Sequence, residues 1–95
     1  MKLNISNLVE RGYIEYQDAN NDIKYYISSY QKNIDGIKIN VDVFKSIRGG
    51  LLFKVRYYYK DFNIYKLNTK DINIYDIEYL ATTIDKDIIR SIYSC

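Results

Sequence analysis

The chain has 95 residues, a formal net charge of +2 and no histidine or proline, and 47% of its residues are hydrophobic. This length and composition predict one globular domain with its own core. The single cysteine, Cys95, excludes an internal disulfide framework and a cysteine-based zinc site, and it favours a cytosolic compartment. We expect no membrane partner, because no apolar run approaches the length of a span.

The first thirty residues predict a short helix followed by two strands. Residues 4–11 fit a helix that Asn4 caps and Gly12 ends. Residues 13–17 and 23–30 are rich in Tyr and Ile and flank a polar turn, which favours a hairpin. A single helix is the alternative for residues 13–30, because several apolar side chains there recur at three- and four-residue steps. The apolar stripe of the first helix consists of Ile5, Leu8 and Val9.

A three-stranded antiparallel meander is predicted from Ile37 to Leu67. After a polar connector over residues 31–36, Ile37 to Val43 alternate apolar and polar side chains, as a half-buried strand does. Gly49 and Gly50 then turn the chain into a second strand, and Asp61 turns it into a third.

From Asn73 the apolar spacing changes to that of an amphipathic helix, with Asn73 as its N-cap. We expect this helix to cover the apolar face of the sheet. The predicted fold is therefore α+β, an antiparallel sheet of three to five strands covered on one face by a C-terminal helix. The apolar positions of this helix are Ile77, Leu80, Ala81, Ile84, Ile88 and Ile92.

The residues that catalysis needs are scarce in this chain. Without histidine, hydrolytic triads and most transition-metal sites are excluded. The Gly49-Gly50 pair lacks the further glycines and the Lys-Ser/Thr ending of a phosphate-binding loop. We therefore expect a protein that is not an enzyme and that has no cofactor or metal site.

The second predicted strand of the meander gives the candidate binding face. On its outward side Lys54, Arg56 and Lys60 alternate with Tyr58, and Tyr and Arg are enriched at binding interfaces. Strand register decides whether neighbouring cations join this face. The proposed contact residues are Lys54, Arg56, Tyr58 and Lys60, with Lys38, Lys66, Tyr26 and Tyr65 as further candidates.

Three kinds of partner fit such a face, and a simple solvated surface fits it too. A protein partner is favoured, and nucleic acid is the alternative, because cations neutralise phosphates while aromatic rings stack bases. A second alternative is a homodimer whose seam is the tyrosine-rich sheet.

In general character the chain resembles small proteins of phages and archaeal viruses, including anti-CRISPR and other anti-defence inhibitors. Several of these are α+β domains of this size with a small antiparallel sheet. The resemblance implies a viral or mobile-element inhibitor that occupies the surface of a host protein complex, such as a CRISPR effector or another defence nuclease.

Overall fold

The five strands form one antiparallel sheet in sequence order, which confirms the α+β class. The computed structural model describes residues 3–18, 24–69 and 72–93. No helix within these ranges is long and apolar enough to cross a membrane. The elements are α1 (Ile5–Glu10), β1 (Ile14–Tyr16), β2 (Tyr26–Ile34), β3 (Ile37–Lys45), β4 (Leu51–Tyr59), β5 (Phe62–Thr69), α2 (Ile74–Thr83) and α3 (Lys86–Tyr93).

The predicted first helix is confirmed, and its cap is reciprocal. The Asn4 side chain accepts a hydrogen bond from the Asn7 backbone N–H at 2.8 Å, and the Asn7 side chain accepts one from the Asn4 N–H at 3.0 Å. Gly12 follows the helix with a φ of 86°, the left-handed conformation typical of a helix end. Leu8 is fully buried, but Val9 is exposed and does not belong to the buried stripe.

For residues 13–30 the two-strand prediction is confirmed and the helix alternative is wrong, because β1 pairs antiparallel with β2. The turn predicted between them falls mostly on residues 19–23, which lie outside the described ranges. The predicted connector over residues 31–36 is wrong as well. Strand β2 continues to Ile34, and the chain reverses at Asp35 and Gly36, which have φ values of 49° and 82°. Positive φ at both positions is what a type I′ hairpin turn requires.

The two faces of the sheet bury different kinds of side chain. On the core face, buried apolar residues of β2, β3 and β4 form one cluster with Leu8, Ile77 and Ile89 from the three helices. The Tyr57 hydroxyl on this face donates a hydrogen bond to the Ile77 carbonyl of α2 at 2.8 Å. The opposite face, called the polar face below, has buried polar residues at its centre. They are Ser29, Asn40 and Asp42.

The predicted C-terminal helix begins after Asn73, whose side chain accepts from the Tyr75 N–H at 2.8 Å, but it is two helices rather than one. Helix α2 ends at Thr83, and the next residue has an extended backbone. The Asp85 side chain then accepts from the N–H groups of the first turn of α3 and so starts a new helix. Because of this break, α3 buries Ile89 instead of the predicted Ile88: Ile89 is 9% exposed, whereas Ile88 is 57% exposed.

Candidate binding face of the sheet

Strand register brings five of the predicted contact residues together on the polar face. Lys38 of β3 lies directly opposite Tyr58 of β4, and Lys66 of β5 lies directly opposite Arg56. Lys54 occupies the same face two positions before Arg56 along β4, because successive side chains of a strand alternate between faces. Lys38, Lys54, Arg56, Tyr58 and Lys66 are called the cation–aromatic cluster below.

Tyr58 is the aromatic centre of this cluster. The Lys38 ammonium nitrogen lies 5.0 Å from the centre of the Tyr58 ring, and the Arg56 guanidinium carbon lies 5.7 Å from it. Cations within about 6 Å of a ring centre are attracted by the electron-rich face of the ring. Tyr58 therefore helps to hold two positive charges side by side on a half-exposed surface.

Arg56 is also fixed from below by a buried carboxylate. Asp42 is 1% exposed, and its Oδ2 accepts a hydrogen bond from Arg56 Nη2 at 2.8 Å. Its Oδ1 accepts from the Ser29 hydroxyl at 2.6 Å and from the Asn40 side-chain amide at 3.1 Å. A buried charge is tolerated when it is paired and hydrogen-bonded, and Asp42 meets both conditions.

The hydrogen bonds around Asp42, called the Asp42 network below, extend to Tyr16 of β1. Its hydroxyl donates a hydrogen bond to the side-chain oxygen of Asn40. Burial raises the pKa of the Tyr16 hydroxyl, and the nearby negative charge of Asp42 raises it further. Tyr16 therefore remains a neutral hydrogen-bond donor.

Tyr26 lies on the same face and is part of the network rather than of the cation–aromatic cluster. Its hydroxyl forms a hydrogen bond with the Ser29 hydroxyl at 2.6 Å and accepts one from the Asp18 backbone N–H at 3.0 Å. Its ring packs edge-on against Phe44, with centroids 5.7 Å apart. Tyr26 thus supports the face and connects it to the chain after β1.

Two predicted contact residues lie elsewhere. Lys60 is in the turn between β4 and β5, with a φ of 54°, and its ammonium nitrogen lies 5.7 Å from the ring of Tyr59 on the core face. Tyr65 is directly opposite Tyr57, so its side chain belongs to the core face, where the two rings are 5.9 Å apart. A register shift between Tyr57 and Tyr58 is what separates Tyr65 from the cluster.

The Asp42 network is the part of the site that sequence reasoning missed. In the sequence, Asp42 occupies an outward position of an alternating strand, where a charged side chain suggests a solvated surface. The sequence feature that could have indicated this network is an aspartate between two valines within a strand, because aspartate is depleted from strand interiors.

Comparisons with protein-family models, with curated proteins and with solved structures found no match. The described ranges also contain no group of three or more His, Cys, Asp or Glu residues that could hold a metal ion. The functional argument therefore depends on the geometry of the polar face.

Proposed function

We propose that the protein is a non-enzymatic inhibitor of viral or mobile-element origin, which acts in the host cytoplasm by docking its polar face onto a host protein complex. The observation that carries this proposal is the cation–aromatic cluster. Within the described residues, the buried apolar side chains of the strands lie on the core face, so the polar face is the side of the sheet that presents charged and aromatic groups.

The cluster contains the residue types that dominate binding energy in protein interfaces. Tyrosine and arginine are over-represented among interface residues whose truncation weakens binding most. Arg56 is held in place by Asp42 and Tyr58, so it loses little conformational freedom when a partner binds. A fixed arginine beside a tyrosine is a suitable anchor for a protein partner.

Charge indicates the chemistry of the partner surface. The cluster carries four cations, and Asp42, the carboxylate beneath it, is already paired with Arg56. Such a face complements an acidic surface. In a defence nuclease, the channel that holds nucleic acid is positively charged and would repel it. The proposed target is therefore an acidic surface of such a complex.

Nucleic acid is the second candidate, because Lys38, Lys54 and Lys66 could neutralise phosphates on the same face. Binding of a single strand would also use Tyr58 to stack a base. Two cations already lie over that ring, and they would compete with the base for it. This arrangement favours a protein partner over nucleic acid.

The test is affinity capture from host lysate with four versions of the protein: wild type, Lys38→Glu, Tyr58→Ala and Lys86→Glu. Lys86 begins α3, so its replacement makes the same charge change away from the sheet face, at a helix start that tolerates a carboxylate. We expect wild type and Lys86→Glu to recover the same host complex, and the two cluster variants to lose it. Equal recovery by all four versions would contradict the proposal.

Two further measurements on the same proteins separate the alternatives. Binding of labelled single- or double-stranded DNA that weakens steeply between low and high salt, and that Lys38→Glu reduces, would favour the nucleic-acid module. A solution mass of two chains that Tyr58→Ala reduces to one would favour the homodimer. We expect neither result.

A further inference from the structure

A second candidate site lies at the end of the sheet where β3 turns into β4. A cleft of about 440 Å³ opens there, within the size range of small-molecule sites. It is separate from the cation–aromatic cluster and does not depend on the function proposed above. Its lining includes Lys24, Tyr25, Phe44, Lys45, Arg48 and Leu52.

The charged residues that line this cleft within the described part of the chain all have the same sign. Lys24, Lys45 and Arg48 line it, and none of the described lining residues is an aspartate or glutamate. These three cations form no ion pair within the described part of the chain. The field in the cleft therefore attracts an anion, and a phosphate is the anion that clustered lysine and arginine side chains bind well.

The remaining walls are apolar and partly aromatic. Phe44 of β3 and Leu52 of β4 are directly opposite each other, so their side chains form one surface at this end of the sheet. The Tyr25 ring is partly exposed beside them, with the Lys24 ammonium nitrogen 5.2 Å from its centre. A flat aromatic group of a ligand would find an apolar floor here, and it would stack on Tyr25 once the Lys24 ammonium group moves from the ring to the anionic group of the ligand.

The backbone at Tyr25 is held in a conformation that bulky residues rarely adopt. Its φ is 78°, and its carbonyl accepts a hydrogen bond from the Lys45 N–H at 2.8 Å, which ties the residue to the end of β3. Strain of this kind persists where the surrounding structure enforces it, and it is concentrated at ligand sites. Here it fixes the ring at the mouth of the cleft.

We infer that this cleft binds a nucleoside monophosphate, with the base against Tyr25 and Phe44 and the phosphate against Lys24 and Arg48. The juxtaposition of lining cations that form no ion pair within the described residues with an aromatic and apolar wall carries the inference. Either half of the ligand alone would satisfy only half of the site.

The test is a titration of ¹⁵N-labelled protein followed by NMR, with adenosine 5′-monophosphate, adenosine and inorganic phosphate as separate probes. We expect saturable shifts of the amide signals of residues 45–50 with the monophosphate, and at least about tenfold weaker binding of each of the other two probes, since each forfeits one set of contacts. An acidic peptide that binds this cleft more tightly than the monophosphate would overturn the inference, as would the absence of saturable shifts at residues 45–50.

Two variants and one control locate the site. Arg48→Ala should weaken binding of the monophosphate at least about fivefold, because it removes a charged contact to the phosphate. Lys86→Ala, which removes a cation at the start of α3 that does not line the cleft, should leave the affinity unchanged. Unaltered affinity in Arg48→Ala, or an equal loss in Lys86→Ala, would overturn the assignment.

Tyr25→Gly provides a check that does not depend on loss of folding. Glycine adopts a positive φ without strain, so we expect this variant to remain folded while it lacks the ring. Its preference for the monophosphate over inorganic phosphate should shrink, because only the Phe44 side of the base contact remains. A folded Tyr25→Gly protein with an undiminished preference would show that the ring does not contact the base.

Discussion

Asp42 and Arg56 illustrate what alternation can predict and what it cannot. Period-2 alternation correctly placed Lys54, Arg56 and Tyr58 on one face of β4. It could not show that Asp42 reaches Arg56, because that contact depends on the register between β3 and β4. The five-residue turn between the strands sets this register, which puts Asn40 opposite Arg56 and Asp42 opposite Lys54, two residue pairs further along.

The ion pair makes a prediction for stability. Arg56→Ala leaves the Asp42 carboxylate buried without its cation, and removal of one partner of a buried pair typically costs about 3 kcal/mol or more. Lys54→Ala removes a neighbouring cation of the same strand and face, and we expect it to change the free energy of unfolding by less than about 0.5 kcal/mol. Urea denaturation of the two variants measures both quantities.

A double-mutant cycle isolates the pair itself. The Asp42→Ala/Arg56→Ala protein should be more stable than the sum of the two single losses implies, because the second substitution removes a group that the first had left unpaired. Additive losses, or an Arg56→Ala protein as stable as Lys54→Ala, would show that the contact contributes nothing. Because Arg56→Ala is expected to destabilise the fold, Lys38 and Tyr58 are the better positions for testing partner binding.

At the level of elements, the predictions from sequence are wrong where a local signal competes with a periodic one. Composition suggested a connector over residues 31–36, because Gln31, Lys32 and Asn33 are not typical strand residues. Their pairing with β3 makes them a strand, and the Asp35-Gly36 pair is the turn. An Asp-Gly pair followed by alternating apolar residues is itself a strong hairpin signal, so this turn was predictable from the sequence.

The break between α2 and α3 was harder to foresee. The apolar positions from Ile77 to Ile92 fit one continuous helix, and a stripe of that kind does not show where a helix stops. Thr82 and Thr83 are weak helix formers at the end of α2, and Asp85 provides a new N-cap. Helix α3 therefore buries other positions than one continuous helix would bury.

Two adjacent isoleucines test which side of α3 is buried. Ile89 belongs to the core cluster, so Ile89→Ala should destabilise the protein by about 2 kcal/mol or more through lost burial and the cavity left behind. Ile88 makes no comparable contact, and Ile88→Ala should cost less than about 0.5 kcal/mol. Thermal or urea unfolding of the two variants measures both losses of stability. If one continuous helix were present, Ile88→Ala would be the more destabilising of the two.

On the scale of the whole molecule, neighbouring strands in sequence are neighbours in the sheet. Short hairpins explain this order, so most of the sheet could be anticipated from local turns. The position of the helices depends on distant contacts instead. One carboxylate joins three elements: Glu78 of α2 accepts from Arg11, which follows α1, at 2.7 Å and from Lys32 of β2 at 3.0 Å. No sequence pattern indicated this cluster.

That cluster makes the stability of the molecule depend on pH. Burial by itself raises the pKa of Glu78, but hydrogen bonds from Arg11 and Lys32 outweigh it, and the pKa lies below its ordinary value of 4.5. A carboxylate whose pKa is lower in the folded state contributes stability above the unfolded-state pKa. This contribution is lost as the pH falls through the folded-state pKa.

The measurement is the free energy of unfolding in urea between about pH 2 and pH 7 for wild type, Glu78→Gln and Ile88→Ala. The wild type should exceed Glu78→Gln by a constant amount above pH 4.5, and the difference should shrink at lower pH as Glu78 becomes protonated. Ile88→Ala changes no titratable group, so its curve should stay parallel to that of the wild type. A Glu78→Gln curve that is also parallel down to the lowest pH would mean that Arg11 and Lys32 do not stabilise the charged carboxylate in the folded protein.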